Sequence, residues 1–185
     1  MKNKADILQD SCNYLYQYGF NGTSVENLAQ NANITKKTLY RYFASKESLI
    51  EDSLDFRHKW FMTQLNRALE HLTGEKVIDG YLKFLKDWLT SDNFYGCMFI
   101  NACGEFSDKN HIVHQKSLEH KQQVITLLQQ KISLGIDDKN QSKKLAEFLF
   151  INGEGLIVAM QVGVIDKINI VTLIATISIQ CKAII

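Results

Sequence analysis

The sequence predicts an all-α fold: a three-helix N-terminal helix-turn-helix domain followed by a larger C-terminal helical bundle, about nine helices in total. Three observations predict it. None of the 185 residues is proline, and a chain without that helix breaker can run through many long helices. Apolar residues recur at helical spacing almost everywhere. Hydrophobic residues make up 45% of the chain, ample for a core and too many for a disordered segment.

The elements follow in order. Ile7, Leu8, Cys12, Leu15 and Tyr18 line one face of a first helix, which Gly19 ends because glycine accepts positive φ. Thr23, with Glu26 three residues on, reads as a capping box, so a second helix begins there and runs to about Asn31. Val25, Leu28 and Ala29 face its interior side. Asn33 and Ile34 make a tight turn, and Thr35 caps a third short helix ending near Phe43. Ser45 caps a fourth, running through Leu49, Leu54, Trp60 and Leu65 to about His71. Long amphipathic segments then cover roughly 75–90, 111–133, 141–164 and 168–184, punctuated by Gly74, Gly96, Gly104 and Gly135. There is no internal repeat or flexible linker. The expected division is residues 1–45 for the helix-turn-helix and 46–185 for the bundle, joined through the fourth helix.

Formal net charge is only +1, so any nucleic-acid role must rest on local charge. The N-terminal MKNKADILQD has no apolar run of signal-peptide length. The apolar stretch Ile168–Ile185 is interrupted by Asn169, Thr172, Thr176, Ser178, Gln180 and Lys182, and reads as a buried helix, not a membrane span. Cys12, Cys97, Cys103 and Cys181 are scattered without a CxxC pair, as expected of reduced cytoplasmic thiols.

Residues 33–46, NITKKTLYRYFASK, carry the functional signal. Lys36, Lys37, Arg41 and Lys46 are cationic, and no residue in the segment is acidic. Thr35, Thr38, Tyr40 and Tyr42 add hydrogen-bond donors, while Ile34, Leu39 and Phe43 anchor the helix. A short helix with this outer face suits the major groove of double-stranded DNA. Lys46 falls in the first turn of the fourth helix, where a cation is unfavourable for the helix dipole and a phosphate partner explains it. A merely solvated basic face is the competing reading. The ordered run of cap, short helix, Asn turn, cap and second short helix favours DNA.

The string Tyr18-Gly19-Phe20-x-Gly22-Thr23-Ser24-Val25, then Leu28-Ala29-x-x-Ala32-x-Ile34-Thr35-Lys36-x-Thr38-Leu39-Tyr40-x-Tyr42-Phe43-x-Ser45-Lys46-Glu47-x-Leu49, resembles the DNA-binding domain of the TetR family. The resemblance implies an all-helical homodimer whose three N-terminal helices bind DNA and whose larger C-terminal domain binds an effector. It implies a ligand-released repressor on a near-palindromic operator. It places Thr35, Lys36, Lys37 and Thr38 at base-reading positions, gives Thr23, Tyr40, Tyr42 and Lys46 to phosphates, and lets Arg41 do either. Asn33 stands where the family often has Gly, and Asn tolerates the left-handed conformation. Lys37 stands where a small residue is common. The segment Gly96–Ala102, followed by Glu105-Phe106, is similar to a motif that opens a helix of the ligand-binding core in one subset of the family.

The remaining expectations concern the bundle. Ile170, Ile174, Ile177, Cys181 and Ile184 recur at spacings suited to paired helices, as do Phe148, Asn152, Gly155, Ala159 and Val162. Pattern alone favours an intramolecular core, whereas the resemblance implies a dimer interface through the last two helices. Phe61, Phe84, Trp88, Met98, Phe106 and Phe150, with Phe94 and Phe99, could line a pocket for a largely apolar small molecule or simply fill a core. Cys97 precedes a helix start but has no lysine or arginine beside it in sequence, so electrophile or oxidant sensing and plain burial both stay open for Cys97 and Cys103. His111 and His114 share a helical face without a third ligand at matching spacing, so no metal is expected. Phosphate-loop, nucleophile-elbow and zinc-protease motifs are missing, so neither enzymatic activity nor a cofactor is expected. The alternative function class is a helical interaction module or ligand carrier that retains the hairpin, and binding to random duplex DNA separates the two.

Overall fold

A computed structural model describes residues 2–185; Met1, the first residue of the expected N-terminal domain, lies outside the described residues. Among the described residues the chain forms nine α-helices and no strand. They are α1 (Lys4–Tyr18), α2 (Val25–Asn31), α3 (Lys36–Tyr42), α4 (Lys46–Ala68), α5 (Lys76–Leu89), α6 (Met98–Glu105), α7 (Ile112–Ser133), α8 (Lys139–Val162) and α9 (Asn169–Lys182). The chain divides into two compact units: residues up to Phe61 together with Met98–His120, and Met62–Cys97 together with Lys121–Ile185. It passes from one to the other within α4, between Cys97 and Met98, and within α7.

In the first unit, α1 begins with a capping box between Asn3 and Asp6 and ends at Gly19, whose φ of 79° requires glycine. Ile7, Cys12 and Leu15 are buried as the periodicity predicts, but Tyr18 points outward and Tyr16 takes the inward position. The N-cap of α2 is Ser24, not Thr23. Ser24 accepts from the Asn27 amide, and the Asn27 side chain returns the bond, so the box is Ser24 with Asn27 and Glu26 stays free of it. Asn33 adopts a φ of 53°, the left-handed turn expected of it. Thr35 caps α3 by accepting from the Thr38 amide, and Ser45 caps α4 by accepting from the Ser48 amide. Leu28, Ala29, Leu39, Phe43, Leu49, Ile50 and Leu54 are buried, as is Phe20, each of the leucine, isoleucine and phenylalanine side chains contributing roughly 1.5–3 kcal/mol of transfer free energy. On α4, Phe61 is buried and Trp60 is exposed, one position off the predicted face.

In the second unit, α5, α8 and α9 pack on one another. Val77, Ile78, Tyr81, Leu82, Leu85 and Leu89 give α5 a fully apolar inner face. Gly153 on α8 is required by that face, because a Cβ there would come 2.6 Å from the Tyr81 hydroxyl. Asp79 of α5 fixes α9 by accepting hydrogen bonds from Ser178 at 2.6 Å and Lys182 at 2.7 Å. The α9 stripe expected at a dimer interface lies on the inner side: Ile170 and Cys181 are fully buried and Ile177 nearly so, while Ile174 is half-buried. These residues belong to the intramolecular core, and the stretch Ile168–Ile185 is buried on that side only. The outer side carries Val171, Leu173 and Ile179, the last 70% exposed. On α8, Gly155 and Val162 face outward with Ile151 and Val158, while Phe148 and Ala159 are half-buried.

Candidate nucleic-acid interface

The site is the outer face of α3 with the first turn of α4. Leu39 is the one buried side chain on α3, so the helix is held by a single apolar anchor and by Phe43 just beyond it. Thr35, Lys36, Lys37, Tyr40 and Arg41 are exposed, and Thr38, Tyr42 and Lys46 are half-buried. The helix thus presents the predicted cationic, hydroxyl-bearing face. Thr35 and Thr38 share a hydroxyl–hydroxyl contact of 2.9 Å, which orients both side chains at the helix N-terminus. The Arg41 guanidinium donates to the Tyr42 hydroxyl at 3.1 Å and lies over the same ring at 4.9 Å. That contact holds Arg41 against Tyr42 at the end of α3.

Electrostatics on this face are local. Lys36 donates to Glu26 on α2, and this hydrogen bond raises the lysine pKa and lowers that of the glutamate. Both groups are open to water, so the pair is a polar hold that a phosphate or base can replace. Glu47 sits beside Lys46 but contacts His111 at 2.9 Å. Lys37, Arg41 and Lys46 therefore carry the positive potential of the segment.

Thr23 is the exception among the expected contacts. Its side chain is 2% exposed and its hydroxyl donates to the Gly19 carbonyl at 2.7 Å. It pins the α1–α2 turn and offers no hydroxyl to a phosphate. Sequence reasoning named Glu105, the last residue of α6, only as part of a ligand-core motif and missed its role at the α1–α2 turn. Its carboxylate accepts from the Phe20 amide at 2.9 Å and from the Asn21 amide at 2.5 Å, and the Asn21 side chain returns a bond to the Glu105 carbonyl. Gly19 turns the chain so that these two amides lack helical partners, and an acceptor must come from elsewhere. The sequence signal was that demand for an acceptor; nothing local named a residue 85 positions away.

The six expected pocket residues fall in different units. Phe61, Met98 and Phe106 belong to the first, Phe84, Trp88 and Phe150 to the second. In the first unit Phe61 meets the buried His120 edge-on at 5.0 Å, and Phe106 meets Phe20 at 6.1 Å and His111 at 4.8 Å. In the second, Trp88 packs edge-on against Phe94 at 5.4 Å. These contacts are those of core aromatics. An open polar cleft of about 440 Å³ is lined by Thr73, Gly74, Glu75, Lys76, Asp79 and Gly135, none of them an expected pocket residue. His111 and His114 have separate partners, Glu47 and the Phe106 carbonyl.

Comparison with known proteins places this geometry. Residues 7–52, covering α1 to the start of α4, match the family described as bacterial regulatory proteins, tetR family. The chain is 23% identical over 149 residues to the HTH-type transcriptional regulator YjdC of Escherichia coli, covering 79% of this chain and 78% of that one. Its fold is that of SCO4454, a TetR-family transcriptional regulator from Streptomyces coelicolor, with a TM-score of 0.85 at 22% identity over 98% of this chain and 93% of the other. It is also that of a cysteine mutant of the TetR-family regulator CifR bound to 26-base-pair operator DNA, with a TM-score of 0.81 at 20% identity over 96% of each chain. The family match falls on the very helices that form the basic face, and the fold likeness extends over nearly the whole chain. These likenesses support a DNA-binding transcriptional regulator whose N-terminal helices match those of the tetR family.

Proposed function

We propose that the chain acts in the cytoplasm as a homodimeric repressor that occupies a near-palindromic operator and leaves it when a small, largely apolar molecule binds. Residues 1–45 serve DNA and 46–185 serve the effector and the dimer. The observation that carries this reading is the single-anchor construction of α3: Leu39 inward, with Lys36, Lys37, Tyr40 and Arg41 all outward. A helix so mounted can enter the major groove without disturbing its own core. Thr35, Lys36, Lys37 and Thr38, at or next to its N-terminus, would meet base edges. Tyr40, Tyr42 and Lys46 would meet phosphates, with Arg41 able to do either. CifR, with the same fold, holds operator DNA.

The second copy is seated on the outer faces of α8 and α9. Ile151 is 66% exposed and Val162 70%, and Gly155 has open space where a side chain would be. With Val158, Val171 and Ile179 they form more exposed aliphatic surface than a lone helical unit keeps in water. Two copies would set two recognition helices about 34–36 Å apart, one turn of the duplex. The α8 helix is also long and apolar enough to cross a membrane; its buried inner side and glycine-bearing outer side fit helix pairing instead.

The test is a titration against duplexes tiled from the DNA flanking the gene, read by fluorescence anisotropy with random duplex as control. Operator binding should be at least about a thousandfold tighter than random at physiological salt. Lys36→Ala should cost on the order of 1–3 kcal/mol on the operator and relax its sequence preference. Equal losses on operator and random DNA would remove Lys36 from base reading. Ile151→Asp should give a monomer by sedimentation equilibrium; a dimer persisting in that variant would move the interface elsewhere.

A further inference from the structure

An acid stands at the end of α3 assigned to base edges. Lys36 and Lys37 are neighbours on the first turn of α3, and both are exposed. Lys36 donates to the Glu26 carboxylate of α2, whereas Lys37, Arg41 and Lys46 have no carboxylate partner among the described residues. Glu26 lies in the first turn of α2, outside the Ser24–Asn27 capping box. The hydrogen bond from Lys36 is the main force holding its carboxyl below the ordinary range. It therefore meets DNA ionised, an acceptor with no proton to give.

Stability does not account for the pair. The Lys36 side chain is 50% exposed and that of Glu26 62%, and an ion pair so open to water adds little to a fold. The apolar hold on the two helices comes from their buried Leu28, Ala29 and Leu39. Attraction to phosphate does not account for it either. A cation meant for the DNA backbone acts by neutralising a phosphate and releasing counterions, and an adjoining carboxylate cancels that effect. What the pair does present is a donor and an acceptor side by side. The ammonium has three N–H donors, so it can keep Glu26 and still give to a base. Because the two side chains are hydrogen-bonded, any base edge that Lys36 meets lies within a side chain's length of the carboxylate.

Resting on the reading of α3 as the base-contacting helix, we propose that Glu26 is a specificity-determining residue, which with Lys36 reads one G·C pair in each half-site. Guanine shows two acceptors in the major groove, N7 and O6, and its cytosine shows the N4 amine. Lys36 donates to the guanine, and Glu26 accepts from the cytosine amine. At an A·T pair thymine turns its O4 acceptor and its methyl group to the carboxylate in place of that amine. A carboxylate among phosphates with no amine to meet is repelled, so Glu26 weakens binding to random sequence while sharpening the choice of operator.

The experiment selects duplexes from a randomised library with full-length wild type, Glu26→Ala and Glu26→Gln, and titrates each protein on random duplex against salt. Glu26 is exposed and outside the cap, so both variants should keep the wild-type circular dichroism. Wild type should enrich a near-palindromic motif. Glu26→Ala should lose the preference for one G·C pair in each half at least about fivefold, with the other positions unchanged. On random duplex it should bind more tightly, and the slope of log affinity against log salt should steepen by about one as Lys36 becomes free for a phosphate. Glu26→Gln removes the charge but keeps an acceptor oxygen, so it should share the salt effect and retain part of the base preference. A wild type that enriches no motif would remove the regulator reading and this inference with it. A wild-type motif that Glu26→Ala reproduces unchanged, or weakens evenly at every position, would overturn the role of Glu26 alone.

Discussion

Replacing Glu105 by alanine tests how the DNA-binding helices are held. In the native first unit the carboxylate accepts from Phe20 at 2.9 Å and Asn21 at 2.5 Å. The Phe20 side chain is fully buried and its amide has no helical acceptor after Gly19. Removing the carboxylate strands that amide, at about 1–3 kcal/mol, and forfeits a second charge-assisted bond to an exposed amide that water partly replaces. The sum is about 2–4 kcal/mol, or roughly 5–15 °C in Tm for a chain of this size. Glu105→Gln keeps one oxygen acceptor and should lose about half as much. Urea unfolding gives the total, and hydrogen exchange at the Phe20 and Asn21 amides reports the clamp directly. Because the α1–α2 turn carries the helix-turn-helix, operator affinity should fall with it. An alanine variant within about 0.5 kcal/mol of wild type, with exchange at both amides unchanged, would show that the turn holds itself and that the reasoning is wrong.

Three further outcomes are expected. Lys46→Ala should weaken binding to operator and random DNA alike and reduce the slope of log affinity against log salt by about one, as loss of one phosphate contact requires. Gly153→Ala should destabilise by about 1–3 kcal/mol in thermal unfolding, since the new methyl would lie 2.6 Å from the Tyr81 hydroxyl and 2.9 Å from Leu85 Cδ1. Burial opposes the charge on Asp79, but hydrogen bonds from Lys182 and Ser178 prevail and hold its carboxyl below the ordinary range. A depressed carboxyl stabilises the fold above its unfolded pKa and loses that contribution as pH falls through the folded value. The stability gap between wild type and Asp79→Asn should be constant near neutrality and close below about pH 4.

Local chemistry was legible where one short stretch decides the outcome. Asn33 takes the left-handed turn that it tolerates, and Thr35 and Ser45 occupy the caps that their side chains suit, because a backbone amide three residues away is their partner. Thr23 and Ser24 show the limit of that logic. Both are cap residues, adjacent, and each has a hydrogen-bonding side chain three residues on. The choice between them rests on the Gly19 carbonyl, which takes the Thr23 hydroxyl and leaves Ser24 to cap. The exposed basic face of α3 was equally readable, since one apolar anchor leaves no other orientation. The role of Glu105 was not readable, because its partner stands 85 residues away and no periodicity links them.

Helix α9 exposes a different limit. Its sequence holds apolar residues on two sides: Ile170, Ile177 and Cys181 on one, Val171, Leu173 and Ile179 on the other. Period alone finds the first set and does not say whether it meets the protomer's own core or a partner. Ser178 and Lys182 reach Asp79 of α5, which holds the helix against the unit's own core. On the proposed reading the exposed residues of α9 are left for a second copy. On α8 the same division holds, with Gly153 inward beneath Tyr81 and Gly155 outward in open space. Two glycines two positions apart therefore do opposite work. The inner lets a tyrosine close the core, and the outer leaves room for the close approach of another helix, the feature a self-pairing surface needs.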